Sequence, residues 1–81
     1  MWAVMASNIK RVIYIRLLDE GIDVWRPTEG LDLGGGLFRI LPTPDYDPED
    51  EKWEFLPGSV VECKNTQSPE GEYLRATKSH G

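Results

Sequence analysis

Cys63, His80 and the acidic run Asp45, Asp47, Glu49, Asp50, Glu51 and Glu54 are the residues of this chain whose types invite chemistry. A thiol beside an imidazole would make a nucleophile and its base. These are the chain's one cysteine and one histidine, and nothing holds His80, next to the C-terminal residue, near Cys63. A single cysteine supplies one ligand where zinc takes about four. Cys63 therefore reads as an inert core thiol. No Ser-His-Asp arrangement is available either, and no carboxylate is visibly driven into an apolar pocket, as acid–base chemistry at neutral pH requires.

The acids would suit a hard cation, which takes oxygen ligands. An EF-hand loop beginning at Asp45 needs Gly at its sixth position and Glu at its twelfth; Asp50 and Leu56 stand there. A solvated acidic loop is the better reading. Gly34-Gly35-Gly36 would suit a phosphate cradle only with a helix N-terminus behind it. The strand-like Leu37-Phe38-Arg39-Ile40 follows instead, so the triplet reads as a hairpin tip. The expectation is no enzyme, no cofactor and no metal.

The aromatic residues carry more. Tyr14, Arg16, Trp25, Tyr46 and Trp53 are the candidate partner-binding residues. Exposed together and rimmed by Asp23, Asp45 and Asp47, they would suit a basic or proline-containing peptide. The competing role for Trp25 and Trp53 is to cover the open ends of a small core, because small domains spend their largest side chains on burial.

The elements that must position these residues read as strands. Alternation over Ile9 to Leu18 places Ile13, Ile15 and Leu17 on one face and Val12, Tyr14 and Arg16 on the other. The acidic turn around Gly21 leads to a second strand over Ile22–Thr28, with Pro27 at an edge or at the strand's end. Glu29 to Gly36 reads as a loop. A third strand, Leu37–Leu41, turns Phe38 and Ile40 inward. Three prolines, Pro42, Pro44 and Pro48, then forbid regular structure. Asp47-Pro48-Glu49-Asp50-Glu51 predicts one helical turn, with Asp47 as cap and Pro48 at the first helical position.

A fourth strand is expected to begin near Trp53 or Phe55, break at Pro57-Gly58 and resume over Ser59–Asn65, with Val61 and Cys63 inward. Asn65 to Gly71 reads as a loop, and Glu72–Thr77 as the last strand, with Leu74 and Ala76 inward. The domain is expected to span residues 8–78, with 1–7 and 79–81 loose. No stretch is apolar for long enough to cross a membrane, and the start lacks the basic flank of a secretory signal.

Composition bounds the rest. The chain has 81 residues, enough for one domain, and 40% are hydrophobic, which favours a folded chain over a disordered one. Its net charge is −5, which disfavours a phosphate backbone as partner. The lone cysteine excludes a disulfide framework within the chain and points to a reducing cytoplasm.

Five short strands hide their edges best by closing on one another. The Pro57-Gly58 turn ahead of Val60-Val61 looks like the corner entering a strand of SH3-like barrels. The wider pattern Arg16-Leu17-Leu18-Asp19-Glu20-Gly21 with Asp23-Val24-Trp25-Arg26-Pro27 resembles a group of short bacterial proteins of uncharacterised function. The likeness continues through Phe38 to Pro44, Asp47-Pro48-Glu49-Asp50, Trp53-Glu54-Phe55 and Pro57 to Val61. It implies a bacterial source and a small β-barrel, and carries no activity across. The expectation is an all-β, five-stranded SH3-like barrel with at most one short helical turn. It would act as a non-catalytic protein-interaction module or, by fold analogy alone, as a small nucleic-acid-binding barrel.

Overall fold

Alternating side chains bury one face of a strand and leave the other wet, and this chain uses that rule five times. The computed structural model describes residues 9–80. The expected loose start, residues 1–7, and Gly81 lie outside the described residues. The strands are β1 (Lys10–Leu17), β2 (Val24–Gly34), β3 (Leu37–Ile40), β4 (Val60–Ser68) and β5 (Gly71–Ser79). No α-helix occurs among the described residues. The fold is all-β.

Each strand hydrogen-bonds to the next in sequence, and β5 returns to β1, so the sheet closes into a ring. Strands that alternate up and down leave the first and fifth pointing the same way. The closing seam is accordingly parallel, while the other four are antiparallel. That seam is short, registering Ile13 with Leu74 and Tyr14 with Arg75.

Inside the ring lie Ile13, Ile15, Leu17, Phe38, Ile40, Trp53, Val61, Cys63 and Ala76, with Val24, Tyr46, Phe55 and Leu74 packed against them. Each fully buried aliphatic side chain contributes about 1.5–3 kcal/mol. The inward sets expected for β1, β3, β4 and β5 are those observed. Thr28, the buried polar side chain of the interior, donates its hydroxyl to the Leu41 carbonyl, which meets the cost of burying it.

Several boundaries differ from expectation. Ile22 is 76% exposed in the turn, and β2 begins at Val24. The expected loop Glu29–Gly36 is strand as far as Gly34. Gly30 pairs within that strand with Arg11 and Ile40, and an added Cβ would lie 2.7 Å from Ile13 Cδ1. Glycine there marks a close approach and no turn. The hairpin tip shrinks to Gly35-Gly36, whose φ of 64° and 84° fits a two-residue turn matched to strand twist. Likewise Asn65–Ser68 is strand, and Pro69-Glu70 alone makes the turn to β5. Polar composition misled in that segment, because it runs where both faces meet water. Beyond Thr77, β5 continues to Ser79, and the His80 N–H donates to the Val60 carbonyl at 2.9 Å.

The connection from β3 to β4 folds back over one end of the ring. Asp47 accepts from the amides of Asp50 and Glu51 through its carbonyl, and from Glu49 through its side chain, making the single turn expected there. The chain then pairs with the end of β1: Leu18 N–H donates to Lys52 O at 2.7 Å, and Glu54 N–H to Arg16 O at 2.8 Å. Trp53 lies between those bonds, in a single bridge with Leu17, so β4 does not begin there. The Leu56–Ser59 turn closes with a Ser59 N–H to Leu56 O bond of 3.1 Å. Pro57 at its second position and Gly58 at φ 91° give it type II geometry.

Candidate functional site

Residues opposite each other in paired strands point to the same side of the sheet, so the registers assign the ring's outer face. Tyr14 and Arg16 leave β1 on that side. Trp25 of β2 lies opposite Arg16, and Arg75 of β5 opposite Tyr14. The Tyr14 and Tyr73 rings meet edge to face with centroids 5.2 Å apart. The Arg75 guanidinium lies 5.4 Å from the centre of the Trp25 ring, within cation–π range. Lys64 of β4 stands opposite Arg75 and so joins the same side. Three aromatic rings from three adjoining strands thus form one half-buried platform, with Arg16, Arg75 and Lys64 around it.

Two shallow grooves flank Trp25. One, of about 310 Å³, is lined by Tyr14, Tyr73, Ser68, Gly71, Glu70 and Glu72. The other, of about 350 Å³, is lined by Arg16, Arg75, Asp23, Glu54 and Thr77. Arg16 pairs with Asp23 at 3.1 Å. Among the described residues no carboxylate stands within ion-pairing range of Arg75 or Lys64.

Tyr46 and Trp53 do not belong to this platform. Trp25 and Arg26 are consecutive in a strand and point to opposite sides. Arg26, on the inner side opposite Ile15, reaches the acidic loop. Its Nη2 donates to both Asp45 carboxylate oxygens at 3.1 Å, and its Nε lies 3.3 Å from Glu51 Oε1. That same Glu51 oxygen accepts the Trp53 indole N–H at 2.8 Å. Trp53 is 2% exposed, and Tyr46 meets it edge to face at 4.8 Å. The Trp53 ring is therefore core, which corrects its place among the partner-binding candidates: a side chain filling the ring's end has no face left for a ligand. Of the five candidates, Tyr14, Arg16 and Trp25 come together, and Tyr46 and Trp53 form a separate cap. The acids expected to rim Trp25, Asp45 and Asp47, lie with the cap. The neighbouring Thr43 hydroxyl, the Asp45 backbone amide and the Arg26 charge hold the Asp45 carboxyl below the usual range.

The opposite end of the ring is open. A hollow of about 860 Å³ there is lined by Arg11, Asp32, Phe38, Cys63, Asn65 and Leu74, among others. Cys63 is 7% exposed, and burial pushes its thiol up to about 11. It is thus protonated and unreactive near neutral pH. Among the described residues no three His, Cys, Asp or Glu side chains gather as a metal would need. No described helix is long and apolar enough to cross a membrane.

No family model, curated protein or solved structure matches this chain. The platform must be read from its own geometry. Sequence reasoning missed Tyr73, Arg75 and Lys64. Tyr73-Leu74-Arg75 does carry the alternation of a half-buried strand, with an aromatic and a cation on one side. Only the seams show that this side adjoins Trp25.

Proposed function

We propose that the protein is a non-catalytic binding module that engages an anionic partner through the outer face of β1, β2 and β5. The observation that carries this reading is the aromatic platform of Tyr14, Trp25 and Tyr73 with Arg75 and Lys64 beside it, free of ion pairs among the described residues. Large rings left half-exposed on a sheet exterior cost a small domain apolar burial that it can ill spare. Contact with a partner recovers that burial. Cations flanking the indole repel a basic segment and attract an acidic one, so the partner reading turns from a basic or proline-rich peptide toward an anion. The buried, protonated Cys63 supports a role without catalysis. For the fold, the type II corner at Leu56–Ser59 entering β4 supports membership of the small SH3-like barrels.

The test is amide shift mapping by NMR against three probes: a single-stranded oligonucleotide, a Glu-rich peptide and an Arg- and Pro-containing peptide. Shifts gathered on Tyr14, Arg16, Trp25, Tyr73 and Arg75 with an anionic probe are expected. Shifts confined to the Trp53 end or to the open end would overturn the assignment.

A further inference from the structure

We infer that this outer face binds single-stranded nucleic acid, with bases stacked on Trp25, Tyr14 and Tyr73 and phosphates held by Arg75, Lys64 and Arg16. The inference rests on the binding-face reading above and names its ligand.

The register of β4 and β5 is the first reason. Lys64 and Arg75 are directly opposite each other, and like charges in that position destabilise a sheet. No described carboxylate relieves them. A bound anion would. Arg16 adds a third positive group whose one ion-pair partner among the described residues is Asp23, both side chains being largely exposed at 46% and 74%. An exposed pair of this kind is weak, and its arginine is free to exchange a carboxylate for a phosphate, which it contacts in the same forked geometry.

The rings are the second reason. Neighbouring strands lie about 4.8 Å apart, so side chains from β2, β1 and β5 form a continuous surface. Arg75 over Trp25 extends that surface with a second flat cation-bearing group, and bases stack on guanidinium planes as well as on aromatic rings. Such platforms take bases of any identity, because every base has a π face. Paired bases hide those faces, and among the described residues no helix or ribbon projects from this side to enter a groove. A single strand therefore fits and a duplex does not. An acidic peptide would satisfy the three cations but leave the rings without flat partners.

The acids Glu54, Glu70 and Glu72 at the groove margins and the net charge of −5 keep the affinity modest. Glu70 and Glu72, in the Tyr14–Tyr73 groove, turn phosphates toward the Arg16–Arg75–Lys64 side, where Asp23 and Glu54 share the groove. Three neutralised phosphates on a single strand give a slope of about −2 in log K against log salt.

The experiment is fluorescence anisotropy with a labelled oligothymidine of roughly ten nucleotides, at low and at physiological salt. The same sequence annealed as duplex and a labelled Glu-rich peptide serve as comparators. Binding of the single strand over the duplex is expected, with that salt slope. Trp25→Leu should weaken it about tenfold, and the exposed Lys64→Gln should lower the salt slope by about 0.7. Folding of each variant is verified by its thermal transition, and Lys64→Gln serves if Trp25→Leu does not fold. Equal affinity for duplex, or a salt slope unchanged in Lys64→Gln, overturns the inference. Binding of the peptide but not the oligonucleotide, with the same dependence on Trp25, overturns the ligand and leaves the binding face standing. Binding of neither at low salt overturns both.

Discussion

The two aromatic clusters of this molecule use the same side-chain types to opposite ends. At the cap, Tyr46 and Trp53 meet edge to face at 4.8 Å, the indole N–H is bonded to Glu51, and the pair fills one end of the ring. On the outer face, Tyr14 and Tyr73 meet edge to face at 5.2 Å, yet Trp25, with Arg75 over its ring, keeps open grooves on both sides. The cap is ringed by acids that are themselves answered by Arg26. The outer face holds two cations, Arg75 and Lys64, that no described carboxylate answers. A satisfied aromatic cluster reads as structure, and the less satisfied one is what supports the proposed binding face.

The sharpest way to break that comparison is to truncate both tryptophans. Trp53→Ala should cost about 3–5 kcal/mol in urea unfolding, because it empties the plug of a core with few other large side chains. Domains of this kind hold only about 5–15 kcal/mol in all, so the variant would be near its folding limit. A cost under about 1 kcal/mol would show that the cap is not structural.

The next effect sharpens the inner side of the same sheet. Gly30→Ala places a methyl 2.7 Å from Ile13 Cδ1 and 3.2 Å from two further Ile13 carbons. Ile13 is fully buried and has little room to move, so a loss of about 1–3 kcal/mol is expected. A neutral result in thermal unfolding would mean that the ring is looser at the β1–β2 seam than the contacts imply.

The open end is tested by pH. The Cys63 thiol ordinarily ionises near 9.0 and is raised to about 11 by burial. The folded state therefore prefers the neutral thiol. Its contribution is fully present below pH 9 and is lost as pH rises toward 11. Melting temperature should fall across that window, and less so in Cys63→Ala. Native labelling by a thiol reagent should be much slower than in urea; equal rates would place the thiol at the surface.

The smallest stability effect belongs to the outer face. Trp25→Ala should cost no more than about 1 kcal/mol, mainly the contact with Arg75, while removing the centre of the proposed binding face. A loss as large as that of Trp53→Ala would erase the distinction between the clusters.

Much of the wall was legible in the residues. Ile13, Ile15 and Leu17, then Phe38 and Ile40, then Val61 and Cys63, alternate so regularly that their burial followed from period alone. Glu29–Gly34 and Asn65–Ser68 were not legible, since Gly30 looked like a turn and a polar strand looks like a loop. Of the candidate site, Tyr14, Arg16 and Trp25 were found because one local hairpin joins them. Trp53 and Tyr46 were grouped with them wrongly. Their direction depends on the Leu18–Lys52 and Glu54–Arg16 backbone bonds, between residues more than thirty positions apart.

The sequence by itself determined which side of each strand is dry, because apolar burial needs only the two-residue period of the strand itself. It also determined that the chain is all-β, because no 3.6-residue period competes. Only the tertiary structure decided which wet sides adjoin. The closing seam brings Arg75 beside Tyr14, and the β4–β5 register sets Lys64 against Arg75. Those neighbours follow from how five strands close into a ring, a property of the whole sheet that no single strand's pattern encodes.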